Sequence, residues 1–174
     1  YLCILITLLF FSFPCYASEF DYSDNFEFES FETSTSASSL PQLNSRSAVI
    51  LEKSTGTILF GKNEHEIRKM ASTTKIMTAV VVLENTDNLS EIITISKKAA
   101  GIGGSRLGLS INSKISVKDL LYGLLLCSGN DAAVALAEFV GGSIESFANL
   151  MNQKASDLGL TNTHFVTPHG LDND

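Results

Sequence analysis

The chain has 174 residues, of which 12 are Lys or Arg and 19 are Asp or Glu, for a formal net charge of −7. A chain of this length accommodates one domain. Its acidic balance, without any basic run, excludes a nucleic-acid or anionic-membrane surface, because such surfaces need clustered Lys and Arg to neutralise phosphates. The chain starts at Tyr1 rather than Met and stops within a polar, turn-like stretch, so we expect a fragment of a longer protein.

The first residues predict an export signal. Residues 2–13 are uncharged and almost entirely Leu, Ile, Phe or Cys, and small residues at positions 15 and 17 precede Ser18. This pattern is typical of a secretory signal peptide, and it is shorter than the roughly 20 residues of a membrane-spanning helix. We therefore predict a signal peptide over residues 1–17. Its removal would leave Cys127 as the only thiol, which we expect to be a small buried core residue.

Residues 18–45 differ sharply in composition from the rest of the chain. They hold six Asp or Glu residues and no Lys or Arg, interleaved with Phe and Tyr and followed by a Ser/Thr tract. This segment carries −6 of the net charge and leaves 13 acidic against 12 basic residues in the remainder. We predict a solvated acidic linker over residues 18–45 and a nearly neutral folded domain over residues 46–174.

The folded part begins with strand signals and continues with helical ones. Two short β-type runs, Arg46–Glu52 and Thr57–Gly61, flank a Lys-Ser-Thr-Gly turn and predict a hairpin. A short strand is predicted over 91–96 and a glycine-rich loop over 101–108. Helical spacing and stop signals predict helices over residues 73–84, 116–127, 131–140 and 144–158. This order predicts an α+β or α/β unit with further strands missing.

Ser72 and Lys75 are the first candidates for chemistry. In Ser-Thr-Thr-Lys a hydroxyl and an amine lie three residues apart at the start of an apolar helix, so both project from one face. A Lys can activate a Ser if burial or a neighbouring cation lowers its pKa from about 10.4, and the helix N-terminus can stabilise an oxyanion. Chance alone predicts about one such pattern here, so a capping Ser followed by a surface Lys remains an open alternative.

Ser128-Gly129-Asn130 forms a short polar break between two apolar helices. A hydroxyl at this place can pass a proton between the Lys amine and a leaving group, while an Asn carboxamide can orient the Lys and hold a substrate amide. Spacing alone leaves open an ordinary helix-helix turn. Asp131, next to Asn130, could support this turn.

Several stretches occur together in one order. They are Met70–Ala79 (Met-Ala-Ser-Thr-Thr-Lys-Ile-Met-Thr-Ala), Gly103–Gly108, Ser116–Leu121, Ser128–Ala133, Met151–Leu160 and Thr167–Asp172. Over residues 46–174 the chain thereby resembles the low-molecular-weight penicillin-binding proteins that act as serine D-alanyl-D-alanine carboxypeptidases, peptidase family S11.

The resemblance implies roles for the candidate residues. Ser72 would be the acylated nucleophile, Lys75 its general base, Ser128 a proton-transfer residue and Asn130 a substrate-positioning residue. The implied fold is the penicillin-recognising α/β fold of serine transpeptidases and β-lactamases, an antiparallel sheet flanked by helices. The implied reaction removes the terminal D-alanine from peptidoglycan stem peptides ending in D-Ala-D-Ala, with β-lactams as inhibitors and without a metal or organic cofactor.

The resemblance also sets expectations for the rest of the protein. The family's third motif, Lys-Thr-Gly or a close variant, does not occur in this chain, so we expect the 174 residues to be inactive alone and the full-length protein to be active. A C-terminal domain with an amphipathic membrane-surface anchor is implied. The protein would act in the cell wall or at the outer face of the cytoplasmic membrane.

Other functions remain to be weighed. A β-lactamase or a peptidoglycan endopeptidase of the same superfamily is the nearest alternative, and Ser-Gly-Asn rather than Ser-Asp-Asn favours the carboxypeptidase. A non-catalytic wall-binding domain is a second alternative.

The Gly103–Ser110 stretch has the glycine spacing of a phosphate loop but Leu109 in place of its Lys. His65, His164 and His169 have poor metal-ligand spacing and are interpreted as structural or surface residues.

Overall fold

The structure is a computed structural model that describes residues 43–171. The predicted signal peptide (1–17) lies outside these residues, as does the predicted linker (18–45) except for its last three positions. The linker boundary therefore stays a prediction. Within residues 43–171, no helix has the length and apolar character needed to cross a membrane.

The predicted hairpin is confirmed. Strand β1 (Ala48–Leu51) pairs antiparallel with β2 (Ile58–Lys62), with a register irregularity between Ile50 and Leu51. Its turn closes on the Glu52 carboxylate, which accepts hydrogen bonds from the backbone N–H and hydroxyl groups of Ser54 and Thr55. These bonds, that of the Thr55 hydroxyl foremost, lower the pKa of Glu52 to about 2.

The hairpin is followed by a mainly helical unit. A 3-10 turn, Ala71–Thr73, leads directly into the first helix. The further elements are α1 (Thr74–Glu84), β3 (Ile92–Thr94), α2 (Lys97–Gly101), β4 (Lys114–Ser116), α3 (Val117–Leu126), α4 (Asn130–Gly141) and α5 (Ile144–Asp157). Strands β3 and β4 pair antiparallel, with Ile93 opposite Ile115.

The predicted helices are confirmed, and their ends have the expected chemistry. Ser116 caps α3, because its hydroxyl accepts from the N–H of Asp119 and donates to the Asp119 carboxylate. Helix α2 and strand β4 were not predicted, because elements of five and three residues are too short to show a period.

The core is organised around α4. Its residues from Asn130 to Ala137 are all buried, and it packs against α1, α2, α3 and α5. Four of these eight residues are alanines, whose small side chains let the neighbouring helices approach closely. The two polar candidate stretches, one before α1 and one before α4, are thereby attached to the same packed centre.

The expectation that Cys127 is buried is wrong. Cys127 is a free, exposed cysteine that directly follows the last residue of α3. The buried residues of α3 end at Leu124, whereas Leu125 and Leu126 are 53% and 79% exposed. The apolar run thus continues past the buried face of the helix, and run length alone could not reveal where burial stops.

Candidate active site

Ser72 and Lys75 meet in the structure. Ser72 lies in the 3-10 turn before α1, and Lys75 lies in the first turn of that helix. Lys75 Nζ is hydrogen-bonded to Ser72 Oγ at 3.1 Å. Ala71, immediately before Ser72, has φ +46°, a left-handed conformation that costs a non-glycine residue about 1–3 kcal/mol. A strained residue of this kind next to a hydroxyl in contact with an amine is an arrangement found at functional sites.

The environment of Lys75 favours its neutral form. The side chain is 1% exposed, and burial lowers its pKa below the usual 10.5. Its second hydrogen bond runs to the backbone carbonyl of His169, 3.0 Å away. Among residues 43–171, no Asp or Glu oxygen lies within 4.0 Å of the amine. A neutral amine offers a lone pair that can take the proton of Ser72 Oγ.

A turn from the far end of the described chain supports this pair. We refer to residues 167–171 as the 167–171 turn. Thr78 Oγ1 of α1 donates to the Pro168 carbonyl at 2.6 Å, one turn of helix after Lys75 contacts His169. Gly170 has φ +76° and lies so close to Ala71 that a Cβ atom there would overlap the Ala71 carbonyl oxygen. The turn therefore packs directly against the backbone that carries Ser72.

His169 contributes to this support in two ways. Its carbonyl accepts from Lys75, and its Nδ1 accepts from the Leu171 N–H at 3.1 Å. Burial, followed by the charge of Lys75, lowers the pKa of the imidazole to about 4, so the ring is neutral at pH 7. Sequence reasoning assigned no site role to His169. The only signal was the resemblance of the Pro-His-Gly-Leu-Asp stretch, because a contact through a backbone carbonyl leaves no trace in residue type.

Ser128 occupies the sharp bend between α3 and α4. Its φ is +55°, again a left-handed conformation in a non-glycine residue. Its Oγ is buried and has no hydrogen-bond partner among the described residues. A buried hydroxyl left unpaired costs about 1–3 kcal/mol, so both features of Ser128 oppose stability. Such a cost is typical of a side chain held ready for a ligand or a proton transfer.

Asn130 is held from two sides by one loop. Its backbone N–H donates to the Ser105 carbonyl at 2.8 Å, and its side-chain Nδ2 donates to the Gly103 carbonyl at 2.7 Å. One N–H of the carboxamide is thus used within the protein, and the Gly103 carbonyl fixes the orientation of the Asn130 side chain. The sequence did not predict this anchoring to the glycine-rich loop.

The described residues give no metal arrangement. Within residues 43–171, no three His, Cys, Asp or Glu side chains converge as they would on a metal ion. What the geometry provides is the Ser72 hydroxyl in contact with a buried amine, an unpaired Ser128 hydroxyl and a fixed carboxamide, at the N-terminal ends of two packed helices. Covalent acyl transfer uses groups of these kinds, as nucleophile, base, proton carrier and orienting amide.

Comparisons with known proteins agree with this chemistry. The family model described as D-alanyl-D-alanine carboxypeptidase matches residues 33–174. The D-alanyl-D-alanine carboxypeptidase DacF of Bacillus subtilis is 45% identical over 130 residues, which are 72% of this chain and 33% of the relative. The chain thus spans about a third of that relative's length.

Solved structures give the same result. The D-alanyl-D-alanine carboxypeptidase DacD of Francisella tularensis has a TM-score of 0.72 at 40% identity, covering 77% of this chain and 33% of that one. Penicillin binding protein 5 of Haemophilus influenzae has a TM-score of 0.72 at 36% identity, covering 78% and 41%. The fold expected from the sequence resemblance is therefore confirmed for the part of the chain that these structures cover.

Proposed function

The chain belongs to the D-alanyl-D-alanine carboxypeptidase family, as its motifs predicted, and from this membership we propose that the full-length protein is a serine D-Ala-D-Ala carboxypeptidase. Its substrates would be peptidoglycan stem peptides, and β-lactams would acylate the same serine. The observation that carries the proposal is the contact between Ser72 Oγ and a buried Lys75 without a carboxylate neighbour among residues 43–171.

The reaction follows from the placement of these groups. Ser72 Oγ attacks the carbonyl carbon that links the last two D-alanines, and its proton passes to Lys75 Nζ. The terminal D-alanine leaves as an amine after it receives a proton, which Ser128 Oγ can relay from Lys75. The remaining peptide is then an ester on Ser72. Water hydrolyses this ester, releases the shortened peptide and restores the hydroxyl.

The N-terminus of α1 assists this charge movement. The first N–H groups of a helix lack partners within that helix and carry a partial positive charge. Ser72 lies just before α1. The start of α4 is already occupied, because the Asn130 N–H donates to the Ser105 carbonyl and the Ala132 N–H donates to the Asp131 carboxylate. A developing oxyanion near Ser72 would be stabilised by the partial positive charge at the N-terminal end of α1, where the Thr73 and Thr74 N–H groups already donate to the Met70 and Ala71 carbonyls.

Three experiments on the full-length protein distinguish the family's reactions. The first measures D-alanine release from diacetyl-L-Lys-D-Ala-D-Ala, the second measures hydrolysis of nitrocefin, and the third measures cleavage of cross-linked peptidoglycan dimers. We expect D-alanine release with slow or no nitrocefin turnover, and loss of release in Ser72→Ala. Rapid nitrocefin turnover without D-alanine release would instead indicate a β-lactamase. Cleavage of cross-linked dimers alone would indicate an endopeptidase, and the absence of all three activities a non-catalytic wall-binding protein.

We also propose that the protein is exported and acts at the cell wall or the outer face of the cytoplasmic membrane. The support is the apolar run before Ser18 and a substrate that lies outside the membrane. A C-terminal membrane-surface anchor belongs to the same proposal. Fractionation of cells that express the full-length protein tests export and anchoring. The Leu5→Asp, Leu8→Asp double variant, whose apolar run is interrupted, is the export control. Recovery of the wild-type protein in the cytosol would contradict export.

A further inference from the structure

Asp131 is a fully buried carboxylate at the start of α4. Its Oδ1 accepts from the N–H of Leu107 at 3.0 Å, and its Oδ2 accepts from the N–H groups of Gly108 at 2.9 Å and Leu109 at 3.0 Å. The Ala132 N–H also donates to Oδ1. Three successive backbone N–H groups of one loop therefore converge on a single side chain three residues after Ser128, the candidate proton carrier.

The same loop is attached to Asn130. We refer to residues 103–109 as the 103–109 loop. Asn130 donates to its Gly103 and Ser105 carbonyls, and a Cβ atom at Gly104 would lie 2.6 Å from Asn130 Nδ2. The loop thus holds the carboxamide at one end, and Asp131 holds the loop at the other. Ile102, Leu107 and Leu109 are half-buried against the core and add apolar support.

We propose that Asp131 is a positioning residue that fixes the 103–109 loop and, through it, the orientation of the Asn130 carboxamide for acyl transfer. This inference rests on the proposed function. An ionised carboxylate suits the task because it only accepts hydrogen bonds and has room on two oxygens for several donors. Its position in the first turn of α4 also places the negative charge where the helix end is positive.

A neutral side chain cannot replace this arrangement. Asn at position 131 would keep one acceptor oxygen but would present an NH2 group to N–H donors of the loop. At least one loop N–H would lose its partner, and a buried unpaired donor is costly. The loop would then loosen at Gly108 and Leu109, and the Gly103 carbonyl would no longer fix the amide of Asn130.

The test uses the full-length protein as wild type, Asp131→Asn, Asp131→Glu and Asp119→Asn. Asp119 is the matched control, because it is also a first-turn carboxylate of a neighbouring helix but is exposed and bonded only to its own cap. Two quantities are measured: amide hydrogen exchange of the peptide containing Leu107, Gly108 and Leu109, and the acylation of Ser72 by a fluorescent penicillin, resolved into penicillin affinity and acylation rate constant.

In wild type we expect those three amides to exchange as slowly as the core of α4. In Asp131→Asn they should exchange faster, and the acylation rate constant should fall about 10–100-fold with little change in penicillin affinity, as expected for misplaced groups. Asp131→Glu, which keeps the charge, should recover part of the slow amide exchange and part of the acylation rate constant. Asp119→Asn should change neither the amide exchange nor the acylation rate constant.

Folded Asp131→Asn with wild-type acylation would overturn the proposal, as would an acylation defect without faster loop exchange. If Asp131→Asn does not fold, the test uses amide exchange in the wild type together with the exchange and acylation of Asp131→Glu. Fast exchange of the Leu107, Gly108 and Leu109 amides in the wild type would then be sufficient to reject the positioning role of Asp131. If the fluorescent penicillin did not label wild-type Ser72, the proposed function itself would be overturned. The amide exchange rates would then still show whether Asp131 holds the 103–109 loop.

Discussion

The two halves of the candidate site are held by opposite chemistry. At Ser72 a buried amine, Lys75, donates to the carbonyl of the 167–171 turn. Before α4 a buried carboxylate, Asp131, accepts from N–H groups of the 103–109 loop. Each charged or chargeable group is satisfied by backbone of the other polarity, and in the described residues the two do not form an ion pair.

This separation matters for catalysis. A carboxylate beside Lys75 would hold the amine protonated and would remove its lone pair. Backbone carbonyls position the amine without adding a full charge, so burial can lower its pKa. In the other half, Asp131 accepts hydrogen bonds from the backbone N–H groups of Leu107, Gly108 and Leu109. The comparison thus distinguishes the support of Lys75, which uses backbone carbonyls, from the support of the 103–109 loop, which uses a carboxylate.

The largest expected effect separates function from stability at Ser128. Replacing Ser128 with Ala should lower the acylation rate about 10²–10⁴-fold, because proton transfer through its hydroxyl is lost. The same change should leave the free energy of unfolding unchanged or higher, because the removed hydroxyl is buried and unpaired. Acylation kinetics and chemical denaturation of the full-length variant measure the two quantities.

Ser128→Gly is the companion variant. Glycine adopts φ +55° without the cost of about 1–2 kcal/mol that a left-handed conformation has for other residues. Ser128→Gly should therefore be more stable than Ser128→Ala and should be acylated equally slowly. If Ser128→Ala reacted at the wild-type rate, Ser128 would be a turn residue only, and the second half would contribute no proton carrier.

The next effect tests the support of Ser72. Gly170→Ala places a methyl group against the Ala71 carbonyl and forces φ +76° on a non-glycine residue. We expect a loss of stability of about 2–4 kcal/mol and a marked loss of Ser72 labelling. Gly142→Ala is the control, because Gly142 has φ +71° but open space around it.

Gly142→Ala should lose only about 1–2 kcal/mol of unfolding free energy, and its Ser72 should still be labelled by penicillin. Thermal unfolding followed in parallel with penicillin labelling gives both readouts. Equal behaviour of the two variants would mean that the 167–171 turn does not position Ser72 through close contact.

The smallest effect concerns pH. The pKa of His169 is about 4 in the folded protein against 6.5 in the unfolded chain, so the unfolded state binds more protons between these values. The free energy of unfolding should therefore fall by about 1–3 kcal/mol as the pH is lowered from 6.5 to 4. His169→Gln, which keeps an acceptor for the Leu171 N–H, should show a shallower decrease. Parallel curves for the two proteins would contradict a buried neutral imidazole.

Much of the architecture could be predicted from periodicity. The hairpin and the longer helices follow from alternation, helical spacing and glycine stop signals, and Ser116 was recognisable as a cap. The spacing of Ser72 and Lys75 predicted their contact, since residues three apart share a helix face. The exposure of Cys127 was missed because an apolar run does not reveal which neighbours cover it.

The support of the site could not be predicted in the same way. His169 reaches Lys75 through a carbonyl 94 residues away, and Asp131 reaches N–H groups more than 20 residues away. Such contacts depend on how elements pack and not on residue type. In the hairpin, the alternation of residues predicted the strands correctly but not the exposure of their side chains. Val49, Ile50 and Leu59 are about half or more exposed in the described part of the chain.

The most direct test of Ser72 activation by Lys75 is the site and rate of penicillin attachment, measured by mass spectrometry on the full-length protein as wild type and Lys75→Met. We expect one adduct, on the peptide containing Ser72. The adduct should form about 10²–10⁴-fold more slowly in Lys75→Met, a variant that keeps an unbranched side chain in the buried space but has no basic amine. An adduct on another residue, or equal rates in the two proteins, would contradict activation of Ser72 by Lys75.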